Sequence, residues 1–284
     1  MLLLMTSVKK QSYPEETQMF ESFYKFTSTP FSRDISVDSL YRDTNRDELI
    51  TRLKHTAKNQ LFAVVTGESG SGKTTLLRRF RHEVKDSRHL VLYLCDSKLT
   101  PRPFYKSILE QLGFEAKYFR GDAKVQLHKT VELLKSQHGL IPVLIVDEAH
   151  LLGRDMLEEI RFVLNLSMDS VSPMALILTG QAELWEKLKL QDYTAIRQRV
   201  DIRCQVHKLD RASATAYVKS HLSFVGCEND IFSDSALDEI YKFAGGLPRM
   251  INKACSAALI YGAQCQNNII DERSIKLVIE SELE

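Results

Sequence analysis

The sequence is poor in cysteine, and its cysteines are not paired. Among 284 residues there are five cysteines, and none of them forms a CxxC motif. An odd number without such spacing argues against a zinc site and against a disulfide framework. We therefore expect reduced thiols, which are typical of intracellular proteins.

Long apolar runs are missing as well. No stretch approaches the roughly 18 apolar residues of a membrane-spanning helix. The apolar start Met1–Met5 is too short for the core of a signal peptide, and no basic residues come before it. These absences predict a soluble, cytoplasmic protein that does not associate with a membrane.

Net charge is nearly absent. The 38 Lys and Arg residues face 37 Asp and Glu residues, for a formal net charge of +1. Any contact with nucleic acid therefore has to come from a local patch. A chain of this length can form a sizeable core, and its simplest organisation is one main domain with a smaller appendage.

One stretch, Gly67–Thr74, fills every fixed position of the phosphate-binding pattern GxxxxGK[ST]. An apolar strand at 61–66 precedes it and a helix follows it, which is the context that such a loop requires. We expect backbone N–H groups to face the phosphates, Lys73 to reach the β- and γ-phosphates and the Thr74 hydroxyl to bind Mg²⁺. The predicted nucleotide-binding residues of this loop are Gly67, Ser69, Gly70, Ser71, Gly72, Lys73, Thr74 and Thr75.

Apolar runs alternate with helical periodicity between about residues 46 and 206. Continuous apolar strands separated by helices predict an α/β fold with a parallel sheet covered on both faces. After about Val206 the strands stop, and only helical periodicity follows, which predicts a second, all-helical domain. The predicted domains are an N-terminal arm at 1–45, an α/β core at 46–206 and a helical domain at 207–284.

The predicted N-terminal arm contains a cluster of aromatic residues. We expect the cluster to pack against the main domain, either as a docked arm or as part of an adenine pocket, and the sequence favours neither alternative. Its members are Phe20, Phe23, Tyr24, Phe26, Phe31 and Tyr41.

Two adjacent carboxylates, Asp147 and Glu148, follow the apolar strand at 142–146. From such a strand end Asp147 can hold Mg²⁺ directly or through water. Glu148 would then lie beyond the γ-phosphate, where it can orient and deprotonate the attacking water. His150 completes the letters DEAH, and we interpret it as structural.

Five further residues, in three places along the chain, are candidates for sensing or neutralising phosphate charge. Thr179 and Gln181 end the strand at 174–178 and would lie beside Asp147 if the two strands are neighbours, although an ordinary strand-end turn explains them equally well. Arg197 and Arg199 precede the last core strand, where a ring-forming ATPase carries an arginine that acts on the neighbouring subunit; a surface salt bridge is the alternative. Arg249 opens a helix of the second domain, where it either reaches the phosphates in cis or is simply part of a solvated helix start.

Together these motifs resemble the AAA+ ATPases of the initiator clade, and more narrowly the ExeA branch of that clade. The resemblance implies an AAA+ P-loop core with a small helical lid domain, ATP and Mg²⁺ as cofactors and ATP hydrolysis as the reaction. It also implies that Arg199 is the arginine finger and Arg249 the second sensor. The segments that carry the narrower resemblance are 23–26, 29–31, 67–75, 147–151 and 178–184.

The ExeA branch includes transposition helper ATPases similar to the TniB, TnsC and IstB proteins and to the target-selection ATPase of phage Mu. Those helpers assemble on duplex DNA as rings or filaments and recruit or activate a transposase. The secretion-type ExeA proteins continue into a membrane segment and a periplasmic part, whereas this sequence ends after its helical domain. We therefore expect a DNA-bound regulator of transposition, with an ExeA-type ATPase of a secretion-system assembly as the alternative.

A local excess of basic residues between the second and third strands supports DNA as a partner. Seven Lys and Arg residues between 98 and 129 face three Asp and Glu residues between 110 and 122. For any one of them a solvated charged surface is an equally good explanation, but the cluster as a whole favours phosphate contacts that are largely independent of base sequence. The predicted DNA contacts are Lys98, Arg102, Lys117, Arg120 and Lys124.

Overall fold

The computed structural model describes residues 15–85, 88–96, 99–164, 172–227 and 229–283. The strands within these ranges are β1 (Phe62–Thr66), β2 (His89–Leu94), β3 (Ile141–Val146), β4 (Ala175–Gly180) and β5 (Ile202–Gln205). The helices are α1 (Glu15–Tyr24), α2 (Thr44–Asn59), α3 (Lys73–Glu83), α4 (Pro101–Gln111), α5 (Arg120–His138), α6 (Arg154–Val163), α7 (Ala182–Lys189), α8 (Thr194–Arg197), α9 (Arg211–Phe224), α10 (Asp234–Ala244), α11 (Pro248–Gln264) and α12 (Glu272–Val278).

The chain divides into two compact units. The α/β unit is Arg42–Lys208, and the helical unit combines Met1–Tyr41 with Leu209–Glu284. Among the helices described above, none is both long enough and apolar enough to cross a membrane.

The α/β unit is built on a five-stranded parallel sheet with the order β2-β3-β4-β1-β5. Successive residues of each central strand enter cores on opposite faces, as the pleat requires: Val64 joins one core, and Ala63 and Val65 join the other. The predicted α/β fold with a parallel sheet between helices is confirmed. Because parallel strands end at the same edge, the segments that follow β1, β3 and β4 come together there.

Helix α2 leads into this sheet. The Asp43 side chain caps its N-terminus by accepting a hydrogen bond from the backbone N–H of Arg46 at 2.7 Å. Its apolar side chains Leu49, Ile50 and Leu53 are buried in the same core as Val65. Helix α2 thus begins within two residues of position 46, where the helical periodicity of the α/β core begins in the sequence.

The helical unit contains α1 and α9 to α12. Phe20 and Phe31, which are 3% and 5% exposed, are core residues of this unit. Tyr24 donates a hydrogen bond to the carbonyl of Asn267 at 2.9 Å. The aromatic cluster thus supplies core side chains to the helical unit, whereas we expected it to pack against the main domain. The reason is that the apolar face of α11 needs a cover, and α1, distant in sequence, provides it.

Candidate nucleotide site

The loop between β1 and α3 has the backbone of a phosphate cradle. Gly70 and Gly72 have φ values of 81° and 98°, in the left-handed region that glycine tolerates best. A Cβ on Gly67 would lie 2.8 Å from Ser71 Oγ and 2.9 Å from the carbonyl oxygen of Val206. The first glycine is therefore required by close packing, and the other two by the turn that they make.

The polar groups of this loop fit a phosphate chain. Lys73 Nζ donates to the carbonyls of Gly67 and Glu68, both at 2.9 Å, so its ammonium group lies over the loop. Among the described residues, buried Ser71 Oγ has no hydrogen-bond partner. Gly72 precedes α3 and offers no side chain to cap it, so the first N–H groups of the helix can bind an anion.

The carboxylate of Asp147, which is 2% exposed, is surrounded by hydrogen-bond donors. Its Oδ2 accepts from Thr74 Oγ1 at 3.2 Å and from the Tyr93 hydroxyl at 2.8 Å. Its Oδ1 accepts from the Thr179 hydroxyl and, at 2.9 Å, from the backbone N–H of Glu148. Thr74 and Asp147 are thus close enough to share one Mg²⁺ ion, and oxygen ligands of this kind are those that Mg²⁺ prefers.

Glu148 has an uncommon backbone conformation, with φ 53° and ψ 32°. A non-glycine residue in this region is strained, and such strain is concentrated at functional sites. The Glu148 side chain is 39% exposed, and its Oε2 lies 3.3 Å from His150 Nδ1. The two atoms are close enough for an ion pair, but their geometry is not that of a hydrogen bond. Among the described residues His150 Nδ1 therefore has no hydrogen-bond partner.

The turn after Glu148 is fixed by two neighbouring elements. Lys187 in α7 donates to the carbonyls of His150 and Leu152, at 3.3 Å and 2.6 Å. Gly180, at the end of β4, lies so close that an added Cβ would be 3.1 Å from the backbone nitrogen of His150. These contacts hold the turn against the sheet edge and leave the Glu148 carboxylate accessible.

Tyr93, at the end of β2, was not among the residues predicted for the site. Burial and the neighbouring Asp147 carboxylate raise the pKa of Tyr93 far above its usual value, so that the hydroxyl stays protonated and donates. The only available signal was a tyrosine in an apolar strand at 90–94. That signal has no meaning until the sheet order shows that β2 is the neighbour of β3.

The structure brings Lys73, Thr74, Asp147, Glu148 and Thr179 to one edge of the sheet. Gln181 follows β4 and is partly buried at the N-terminus of α7.

The predicted arginines lie on other elements of the chain. Arg197 ends α8 and donates to the carbonyl of Lys189 at 3.3 Å. Arg199 lies in the turn before β5 and is partly exposed, whereas Arg249, exposed, lies at the start of α11 in the helical unit.

The predicted DNA-binding residues differ in their surroundings. Arg120 and Lys124 both pair with the buried carboxylate of Glu159, at 2.5 Å and 3.7 Å. Lys117 is exposed and has no ion pair within the part of the chain that the structure describes. Lys98 lies outside the described residues. Two of the five predicted contacts, Arg120 and Lys124, therefore already have an intramolecular ion-pair partner.

Two aromatic side chains extend from the connection between α4 and α5. Tyr118 and Phe119 are 72% and 69% exposed, and their rings meet edge to face at 5.3 Å. Arg102 lies over the Tyr118 ring at 4.4 Å and donates to the Tyr118 carbonyl at 2.8 Å. This surface therefore combines exposed rings with a guanidinium group whose orientation is already set.

The comparisons with known proteins agree with this geometry. Residues 55–188 match the family model of an AAA domain. General secretion pathway protein A of Aeromonas hydrophila is 29% identical over 249 residues, which are 85% of this chain and 44% of that protein. The chain thus spans less than half the length of that relative.

Similar solved structures are AAA+ ATPase folds. Cdc6p of Pyrobaculum aerophilum has 16% identity and a TM-score of 0.68, covering 92% of this chain and 70% of that chain. Drosophila ORC bound to DNA has 16% identity and a TM-score of 0.67, covering 98% and 70%. The RuvB Holliday junction branch migration motor of Thermotoga maritima has 16% identity and a TM-score of 0.61, covering 88% and 72%. Residues 55–188 are therefore similar to an AAA domain, and the α/β fold of the chain matches the fold of these AAA+ structures.

Proposed function

We propose that this chain hydrolyses ATP to ADP and phosphate at the edge of the sheet formed by β1, β3 and β4. The observation that carries the proposal is the contact between Thr74 and Asp147, with the accessible Glu148 carboxylate beside it. When bound, Mg²⁺ would be held by Thr74 and Asp147 and would supply positive charge to the phosphate oxygens.

The other roles in binding and hydrolysis are proposed for residues of the chain itself. The loop N–H groups and Lys73 bind and orient the triphosphate. Glu148, whose carboxylate is exposed beyond Asp147, orients the attacking water and accepts its proton. Thr179 and Gln181 lie at the end of β4, where they can sense the γ-phosphate, and Arg249 is the proposed second sensor.

Three variants test the roles. Lys73→Ala should lose binding of a fluorescent ATP analogue, because the charge that faces the phosphates is gone. Glu148→Gln should bind the analogue normally and release phosphate on the order of 10² to 10⁴ times more slowly, which is the usual cost of losing a general base. Glu183→Gln is the matched control, since it makes the same change on an exposed side chain of α7 and should leave both values unaltered. Near-normal turnover by Glu148→Gln would exclude Glu148 as the base.

We further propose that a second copy of the chain completes the site, in a ring or filament, through Arg199. Arg199→Ala should bind ATP without hydrolysing it. Mixing it with Lys73→Ala should restore part of the activity, because an intact Lys73 and an intact Arg199 then meet across one interface. Continued inactivity at every mixing ratio, with both variants still assembling, would make Arg197 the next candidate.

Duplex DNA is the proposed partner of the connection between α4 and α5. The support is the exposed Tyr118–Phe119 pair, the oriented Arg102 and the exposed Lys117, a combination suited to phosphates and bases. The DNA-bound state of the Drosophila ORC structure is consistent with this partner. Because Glu159 already engages Arg120 and Lys124, we expect Arg102 and Lys117 to contribute most.

A titration of labelled duplex with ATP, ADP or no nucleotide, at several salt concentrations, tests the DNA partner. A plot of log affinity against log salt concentration should fall with a slope of about 0.9 per phosphate neutralised. Lys117→Ala should remove one phosphate contact and so reduce the steepness of that slope by about 0.9. Lys242→Ala, an exposed lysine of the helical unit, is the control and should leave the slope unchanged. ATP should strengthen binding, because an assembly repeats the few contacts of one subunit along the duplex.

Two cellular roles remain as proposals: recruitment or activation of a transposase at its DNA target, and assembly of a secretion system. The similarity to General secretion pathway protein A favours the second role as much as the basic surface favours the first. Stimulation of ATP hydrolysis by duplex DNA separates them. A protein that hydrolyses ATP normally but binds no duplex at low salt with ATP would exclude the transposition role and favour the secretion role.

A further inference from the structure

We propose that Tyr93 is a positioning residue of the nucleotide site, which holds the Asp147 carboxylate in the orientation that Mg²⁺ binding requires. The proposal rests on the function proposed above and adds a residue that the phosphate-loop and carboxylate motifs do not contain. It also accounts for a tyrosine hydroxyl at the second-last position of β2.

The first step is the hydrogen-bond capacity of Asp147. A carboxylate offers about four lone pairs, two on each oxygen. Oδ1 accepts from the Thr179 hydroxyl and from the backbone N–H of Glu148, while Oδ2 accepts from Thr74 and Tyr93. Thr74 is itself a proposed magnesium ligand. Among the described residues, Tyr93 is therefore the one donor on Oδ2 that does not belong to the predicted metal site.

The second step is the way in which Tyr93 is held. In the described sheet β2 is an edge strand, and it pairs with β3 in a register that sets Tyr93 opposite Ile145, two residues before Asp147. The backbone N–H of Tyr93 donates to Gln111 Oε1 and its carbonyl accepts from Gln111 Nε2, both at 3.0 Å. Gln111 thus replaces the missing neighbouring strand at this one residue.

The third step joins these contacts. The last residue of α4 fixes the Tyr93 backbone, and the tyrosine ring then extends to Asp147 Oδ2. Groups that orient a metal-binding carboxylate are worth roughly 10- to 100-fold in metal affinity or activity. We therefore assign Gln111 and Tyr93 to one unit that orients Asp147.

The test compares the wild-type full chain with Tyr93→Phe, which removes one oxygen atom and preserves the ring. A fluorescent ATP analogue is titrated in EDTA and then with increasing Mg²⁺. In EDTA the two proteins should bind the analogue equally, since among the described residues no hydrogen bond joins the Tyr93 side chain to the phosphate loop. The Mg²⁺ concentration at half-maximal effect should rise about 10-fold in Tyr93→Phe.

Two variants of the same chain sharpen the test. Tyr217→Phe removes a similar hydroxyl hydrogen bond, to Asn252 at 2.9 Å in the helical unit, and should leave the Mg²⁺ titration unchanged. Gln111→Ala keeps the Tyr93 hydroxyl and should raise the half-maximal Mg²⁺ concentration in the same direction by a smaller factor. If circular dichroism shows that Tyr93→Phe does not fold, the comparison of Gln111→Ala with the wild type is the test.

The outcomes distinguish this inference from the proposed function. A half-maximal Mg²⁺ concentration for Tyr93→Phe that is within twofold of the wild-type value, or below it, overturns the role of Tyr93 and leaves the ATPase proposal intact. Equal loss of binding in EDTA and in Mg²⁺ also overturns it, because it indicates general damage to the site. Absence of analogue binding by the wild-type chain overturns both proposals.

Discussion

The buried histidine His221 should make the helical unit sensitive to acid. Its side chain, 3% exposed in α9, stacks on Phe31 with ring centroids 5.1 Å apart and lies 4.5 Å from the ring of Tyr217. Burial lowers its pKa to about 4 from the ordinary value of 6.5. In the structure the ring is therefore neutral at physiological pH, and folding opposes its protonation.

The sign and size of the effect follow from linkage. The folded pKa lies below the unfolded pKa, so the stabilisation from a neutral His221 is complete above pH 6.5 and is lost as pH falls. The loss amounts to about 2 kcal/mol at pH 5 and about 3 kcal/mol at pH 4, after which it grows little further. A loss of this size is a large fraction of the stability of an ordinary domain.

Urea unfolding between pH 7.5 and 4 measures this loss when the wild-type chain is compared with His221→Leu. The variant removes the titrating ring and keeps an apolar side chain at this position. Between pH 7.5 and pH 5 the free energy of unfolding of the wild type should therefore fall by about 2 kcal/mol more than that of the variant. His138→Gln, an exposed position on α5, is the control and should follow the wild-type curve. Parallel curves for wild type and His221→Leu would refute the reasoning.

Three further outcomes follow from other contacts. Gly246 has φ 76°, and an added Cβ would lie 2.1 Å from the carbonyl oxygen of Leu209. In the same urea unfolding assay Gly246→Ala should therefore lower the free energy of unfolding by well over the roughly 1–2 kcal/mol that a left-handed backbone costs a residue with a side chain. Gly245→Ala is the control and should show that backbone cost alone, since φ there is 54° and no atom lies within 4 Å of an added Cβ. Gly67→Ala should weaken binding of the ATP analogue while the helix content of the chain, measured by circular dichroism, stays unchanged. Binding as tight as that of the wild type would contradict the close packing described for the loop. Glu159→Gln should release the two cations that the carboxylate holds and steepen the salt dependence of duplex binding by up to about 0.9 per cation, whereas an unchanged slope would exclude both from DNA contact.

Much of the α/β unit could be predicted because its signals are local. The apolar run at 142–146 is observed as β3, Ile141–Val146, and the run at 174–178 is observed as β4, Ala175–Gly180. The helical periodicity predicted after about Val206 is likewise local, and α9 to α12 are observed there. Continuous burial on both faces leaves few alternatives for such segments.

The remainder depended on contacts between distant parts of the sequence. Phe20 and Phe31 are core residues of the helical unit, and nothing in the N-terminal pattern indicates which later helices they cover. The Tyr93 contact with Asp147 requires the order of strands in the sheet, and the pairing of Arg120 with Glu159 requires the positions of two helices. The catalytic roles of Lys73, Asp147 and Glu148 and of the predicted arginines remain predictions.

The Gln111 amide on β2 also bears on how the protein behaves at high concentration. An exposed strand edge can recruit another strand and so begin aggregation, and proteins protect such edges with short strands, charges or covering groups. Gln111 occupies both the N–H and the carbonyl of Tyr93, so an incoming strand would have to displace two hydrogen bonds at that residue. The same side chain that aligns the tyrosine therefore discourages the sheet from growing beyond β2.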